Sequence, residues 1–147
     1  MYIKIISGGQ TGVDRAALEV AQEMGYPTGG FAPKGFRTEN GPDLSLKKFG
    51  LIETSSYHYR VRTELNIEEA DGTVLFGLMR SPGSFMTIRL CKEHKKPFLI
   101  NPDPNTLKVW IAHNNIQVLN VAGNRISTAA WAASRCKDVL KELLKMN

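Results

Sequence analysis

Apolar positions along the chain fall into two alternating rhythms. Short, mostly apolar runs at Tyr2–Ser7, Thr28–Ala32, Thr73–Phe76, Phe98–Ile100 and Gln117–Val121 have the length and side-chain character of strands. Between them, apolar residues recur every three or four positions. This spacing predicts helices over Val13–Met24, Tyr57–Ala70, Phe85–Glu93, Thr106–Asn114 and Thr128–Lys145. In the first helix Val13, Ala16, Ala17, Val20, Ala21 and Met24 share a face, and Gly25 ends it. In the last, Ala129, Ala133, Cys136, Val139, Leu140 and Leu143 do the same. Pro33–Ser55 fits neither rhythm and is too long for a routine connection. Its Pro, Gly, Lys and Arg content suits either a wall or lid over a site, or a surface excursion with a small hairpin.

Alternation of strands and helices predicts α/β architecture: one Rossmann-like three-layer α/β/α domain over residues 1–147, with a mainly parallel sheet. Ligands of such sheets bind beyond the carboxyl ends of the strands. The loops expected there are Gly8–Gly12, Pro33-Lys34-Gly35, Ser81–Ser84, Asn101-Pro102-Asp103 and Ala122–Arg125. All are polar or glycine-rich. The loops of the opposite edge, such as Gly25-Tyr26-Pro27 and Lys95-Lys96-Pro97, look like plain turns. That asymmetry gathers the candidate chemistry on one edge.

Gly8-Gly9-Gln10-Thr11-Gly12 leads from a strand into a helix. Glycines let backbone N–H groups approach a ligand, and a helix N-terminus favours negative charge. The loop is neither a GxGxxG fingerprint nor a P-loop, since it lacks the Lys-Ser/Thr pair. Thr11 suits a phosphate oxygen and Gln10 a base, ribose or ring edge; the alternative is a tight turn with Thr11 as N-cap. If the loop cradles an anion, Thr11→Val with Gly12→Ala abolishes binding and spares the fold. Asp14 would repel an anion, so a structural pairing with an arginine is expected. Gly83, Ser84 and Thr87 form a second candidate anion loop, and Gly123, Asn124 and Arg125 a third, in which Arg125 suits bidentate pairing with phosphate. Lys34 and Arg62 would add positive charge. Gln10, Asn66 and Asn124 are candidates for a heterocycle. Helix capping and solvated surface positions remain alternatives at each of these places.

Composition narrows the ligand class. The chain of 147 residues is 42% hydrophobic and 22% charged, ordinary for a globular domain with a real core. Its formal net charge of +5 comes from scattered bases, which suit a basic pocket for a phosphorylated small molecule as well as they suit DNA. Nucleic acid is not the expected partner. No apolar run spans a bilayer and no signal peptide is evident, so no membrane association and a cytoplasmic location are expected. Cys91 and Cys136 form no CxxC pair, and His58, His94 and His113 have no zinc-site spacing. No metal ligands are assigned. No Ser-His-Asp set, Cys-His pair or flanking carboxylate pair stands out, so no catalytic residue is assigned either.

Four motifs in order, Ser7–Ala17, Pro27–Gly30 with Pro33-Lys34-Gly35, Arg62–Asn66 and Leu119–Arg125, resemble the molybdenum carrier family over nearly the whole chain. That family is similar to the molybdenum cofactor carriers of algae and, through them, to the lonely-guy (lysine-decarboxylase-like) nucleotide-binding folds. The resemblance implies a homo-oligomer, dimer or tetramer, and a ligand joining a phosphate to a heterocycle. That ligand is the molybdenum cofactor (or molybdate) or otherwise a nucleotide. The cytokinin-activating relatives carry PGGxGTxxE, whose glutamate serves hydrolysis of an N-glycosidic bond. Here the stretch runs Pro82-Gly83-Ser84-Phe85-Met86-Thr87-Ile88-Arg89-Leu90, with Leu90 in the glutamate's place. The expected function is therefore binding without turnover. A nucleotide phosphoribohydrolase-like enzyme, a nucleotide sensor and a DNA-processing-type nucleic-acid binder are the alternatives.

Overall fold

The structure, a computed structural model, describes residues 2–146. Strands β1 (Lys4–Ile6), β2 (Thr28–Ala32), β5 (Leu51–Glu53), β6 (Gly72–Phe76), β7 (Phe98–Ile100) and β8 (Val118–Gly123) form one sheet in the order β5-β2-β1-β8-β6-β7. Every pairing in it is parallel. Helices α1 (Val13–Glu23), α4 (Pro104–His113) and α5 (Ala130–Lys145) cover one face, and α2 (Tyr59–Glu69) and α3 (Pro82–Glu93) the other. This is the expected three-layer α/β Rossmann-like fold with a parallel sheet.

The two faces are packed unequally. A continuous core between the sheet and α1, α4 and α5 includes Ile3, Ile5, Val74, Phe76, Leu119 and Val121. Because side chains alternate along a strand, the intervening Thr73 and Asn120 point to the α2/α3 face. There Asn120 Nδ2 donates to Thr73 Oγ1 at 3.2 Å. The apolar cluster on this side is small: Ile67, Leu90 and Cys91, with Met86 and Phe98 against it. Polar residues such as Asn66, Thr87 and Asn120 take much of the rest of that face and border a hollow.

Residues 33–55 hold more order than the sequence suggested. A hairpin of β3 (Arg37–Thr38) and β4 (Gly41–Pro42) is followed by 3₁₀ turns over Leu44–Phe49 and then by β5, which extends the sheet beyond β2. Phe36, Leu46, Phe49 and Leu51 bury themselves on Leu18 and Ala32. Helix starts also differ from the periodic reading. Ser81 caps α3, its hydroxyl accepting from the Ser84 N–H at 3.3 Å, so Pro82 is already helical. Asp103 caps α4 in the same way, accepting from the Thr106 N–H at 2.8 Å. Thr11 is not an N-cap; α1 begins after Gly12, which has φ 85°.

Candidate functional site

A cleft of about 530 Å³ opens at the carboxyl edge of the sheet on the α2/α3 face. Its floor is Asn120–Gly123 of β8. Its walls are Gly8, Gln10 and Asp14, then Tyr59, Arg62, Thr63 and Asn66 of α2, then Ser81–Gly83, Met86 and Thr87 of α3. Asn124, Arg125, Ser127 and Thr128 close the remaining side. A volume of this order suits a drug-sized or nucleotide-sized ligand. Ser84 is buried behind the α3 wall, where its hydroxyl accepts from Asn124 Nδ2 at 3.3 Å. Gly9, Thr11 and Gly12 line a smaller hollow with Arg15 and Lys137 instead. Lys34 lies in neither, its ammonium 5.1 Å from the Tyr57 ring centroid.

The opening glycine loop is committed to the protein itself. A Cβ on Gly8 would fall 1.6 Å from Arg62 Nη1, and one on Gly12 would fall 2.4 Å from the Asn124 carbonyl oxygen. One on Gly9 would meet Leu46 and Leu51 methyls at 2.6 and 2.8 Å. Close packing therefore accounts for all three glycines without a ligand. Several N–H groups of this segment are also engaged. Those of Gln10 and Thr11 donate to Asp14 Oδ2 (3.1 Å) and Gln10 Oε1 (3.0 Å), and that of Val13 to the Asn124 carbonyl (3.1 Å). The Thr11 hydroxyl is bonded to Glu39 and accepts from the Ile126 N–H. The expected phosphate role of Thr11 thus meets a hydroxyl already in use.

Three asparagines act as clamps. Asn124 Oδ1 accepts from the Leu78 N–H at 2.6 Å while its Nδ2 donates to the Leu78 carbonyl at 3.0 Å and to Ser81 Oγ at 3.1 Å. Asn101 holds both backbone groups of Gly77 at 2.8 and 2.9 Å. Asn66 holds both of Phe31 at 2.8 and 3.0 Å. Asn101 and Asn124 thus imitate a strand partner for the loop after β6, and Asn66 does so for β2 where it turns toward α2. Asn66 and Asn124, expected to read a heterocycle, instead have their amide groups bound to backbone.

Other cleft groups have capacity left. Gly83 stands in the first turn of α3, and a Cβ there would meet nothing within 4 Å. The Arg125 guanidinium has no hydrogen-bond or ion-pair partner among the described residues and rests 5.5 Å from the Tyr59 ring centroid. Among the described residues, Gln10 Nε2 is the buried side-chain nitrogen or oxygen without a partner. Thr87 donates to the Gly83 carbonyl at 2.9 Å, leaving its hydroxyl oxygen able to accept. Asp14 is buried, and its Oδ2 pairs with Arg62 Nη1 at 3.1 Å. Burial pushes the Asp14 carboxyl above its ordinary pKa, against the pull of Arg62 and the Gln10 N–H. This is the structural arginine pairing expected for Asp14, with Arg62 as the partner. Arg62 accordingly brings less free charge to the cleft than its type suggests.

Comparison with known proteins gives the frame for this cleft. The family model described as the circularly permutated YpsA SLOG family matches residues 5–144. The chain belongs to that family. A solved structure from Syntrophus aciditrophicus SB, named a putative molybdenum carrier protein, is 34% identical over 97% of this chain and 95% of its own, with a TM-score of 0.86. The chain is thus molybdenum-carrier-like within the SLOG family. A second structure, (E)-4-hydroxy-3-methyl-but-2-enyl diphosphate reductase, is 14% identical over 96% of this chain and 59% of its own, at a TM-score of 0.40. No curated protein matches the chain.

Against this SLOG background, two features of the cleft had weak or no sequence signal. Glu39 accepts from Thr11 and Ser127 and fixes the 33–55 excursion to two other loops. Burial disfavours its charge, but the bonds from Ser127 and Thr11 outweigh that and hold its carboxyl below the usual value. Tyr59 gathers Arg37, Arg62 and Arg125 around one ring, at 4.6, 5.3 and 5.5 Å from its centroid. The helical face of Tyr59, Thr63 and Asn66 was legible; the arginines from other segments were not. Leu90 is fully buried in the small apolar cluster. Cys91 and Cys136 are buried too, and burial raises both thiols.

Proposed function

We propose that the cleft holds a phosphorylated heterocyclic small molecule without turning it over. The anionic group sits at the start of α3, against the Gly83 N–H and the Arg125 guanidinium, with Thr87 beside it. The ring extends toward Gln10. The observation that carries this reading is Arg125: a half-buried cation that makes no hydrogen bond or close ion pair among the described residues, feels Asp14 and Glu39 only at longer range, and lines the same cleft as the open N-terminus of α3. Family membership and the carrier-like neighbour favour the molybdenum cofactor or molybdate as cargo, with a nucleotide as the other candidate. Cargo would be held through its oxygens and ring, since both cysteines are buried thiols that favour the protonated form.

Mass spectrometry of small molecules released from the purified native protein, with elemental analysis beside it, tests the cargo. A pterin with molybdenum supports the carrier reading, whereas a nucleotide alone moves it to the sensor or enzyme class. Arg125→Ala tests the site: affinity for inorganic phosphate should drop at least about tenfold with folding unchanged. Equal affinity in the two proteins sinks the assignment.

Asp14 favours a second reading, a nucleotide phosphoribohydrolase, because it is a carboxylate on the cleft wall whose Oδ1 has no hydrogen-bond partner. Release of free base from nucleoside monophosphates would establish it. We further propose a cytoplasmic homo-oligomer, a dimer or tetramer. Trp131 and Val109, 51% and 68% exposed on α5 and α4, are the apolar groups such contacts would cover, and light scattering tests the assembly. No helix among the described residues is long and apolar enough to cross a membrane.

A further inference from the structure

Outside the cleft, three side chains of metal-ligating type converge where α2 meets α3. Glu64 and Glu68 stand four residues apart on one face of α2, and His94 follows the last residue of α3. His94 Nε2 lies 2.8 Å from Glu64 Oε2 and 3.7 Å from Glu68 Oε1, and one ligand atom from each residue falls within 4.8 Å of the others. All three side chains are partly open to solvent, so an ion has a path in.

The charge here is unbalanced. His94 is the charged-type partner of both carboxylates; neither meets a lysine or arginine within ion-pair distance. Lys96 directs its ammonium to the backbone carbonyls of Glu68 and Ala70 at 3.2 and 2.7 Å. With a neutral imidazole the cluster carries two negative charges and one nitrogen donor, which a divalent cation would neutralise.

Donor type selects the cation. Imidazole nitrogen with carboxylate oxygen suits zinc and its first-row neighbours, whereas magnesium and calcium take all-oxygen sets. Zinc bound at about 2.0–2.1 Å in a tetrahedron separates its ligands by about 3.4 Å. The observed 2.8 and 3.7 Å bracket that spacing, so small side-chain rotations suffice. We infer that Glu64, Glu68 and His94 form a zinc-type divalent metal site, with water completing the tetrahedron. Such an ion staples together the two helices that wall the cleft.

The site is tested on untagged, chelator-stripped protein titrated with zinc chloride, followed by calorimetry and thermal unfolding. Wild type should bind one zinc and unfold at a higher temperature; magnesium should do neither. His94→Ala and, separately, Glu64→Gln should each weaken zinc binding about tenfold or more. Cobalt(II) should give the visible absorption of a tetrahedral N/O site in wild type and lose it in both variants. Absence of zinc binding overturns the inference. So does zinc binding that survives in both variants, which would place the ion elsewhere, for example on His58 or His113. Because the cluster lies outside the cleft lining, phosphate binding is measured alongside and reports on the proposed function separately.

Discussion

The loops that open α1 and α3 look alike on paper and behave differently in the fold. Gly8–Gly12 has three glycines, and each is required because another part of the chain lies where a side chain would be. Ser81–Ser84 has one glycine, and the space beside it is empty. The first loop is a packing joint between β1, α2 and the segment after β8. The second faces a cleft with its helix start exposed. Glycine density therefore marks close approach of something; what a Cβ would strike decides whether that something is protein or ligand.

Substitution should separate the two loops sharply. Gly12→Ala forces a Cβ to 2.4 Å from the Asn124 carbonyl at a φ of 85°, so a loss of about 3 kcal/mol or more is expected in chemical denaturation. The pair Thr11→Val with Gly12→Ala is thus a folding variant, not the clean binding probe the sequence suggested. A Gly12→Ala protein with unchanged unfolding midpoint would break the comparison. Arg62→Met should cost about 3 kcal/mol, since it leaves buried Asp14 without its cation. In wild type the raised Asp14 pKa means the folded state holds a proton that the unfolded state releases. Stability from this group falls as pH rises from 3.8 to the folded value, and Asp14→Asn should remove that limb from a pH series of unfolding midpoints.

Gly83→Ala should shift stability by no more than about 1 kcal/mol, upward, because the helix gains alanine in open space. The added methyl should still weaken inorganic phosphate binding, which equilibrium dialysis can measure. Glu39→Gln should have the smallest effect of the set. The lowered Glu39 pKa gives stability that is complete above 4.5 and lost as pH falls through the folded value, so the variant should be less stable than wild type at neutrality, converge with it in acid and lose this part of the acid limb. An unchanged acid limb would show that Glu39 does not tether the 33–55 excursion.

Much of the architecture was legible. β2 and β7 match the apolar runs residue for residue, and the helices follow their spacing to within a few positions. β5 was missed because three residues between Gly50 and Thr54-Ser55-Ser56 carry no rhythm of their own; pairing with β2 makes them a strand. In the site, Gln10, Arg62, Gly83, Thr87 and Arg125 do gather around one cleft. Lys34 does not, since the excursion carries it to Tyr57. Asn66 and Asn124 show the limit of reading by residue type: an amide that suits a pterin edge suits a peptide bond equally well, and here it binds the peptide. The Glu64, Glu68 and His94 grouping was invisible because the packing of two helices, not sequence spacing, brings it together.

The place of β8 has a consequence for biosynthesis. This strand, residues 118–123, lies between β1 and β6 and is the sole link joining β5-β2-β1 to β6-β7. While a ribosome is still making it, the nascent chain has two half-sheets with facing unpaired edges. Insertion of β8 closes both edges, supplies the cleft floor and brings Asn124 to Leu78 in one event. Ligand competence should then appear on a growing chain as a late, abrupt step after residue 124 clears the exit tunnel. A chaperone that shields strand edges would have most to do just before that point.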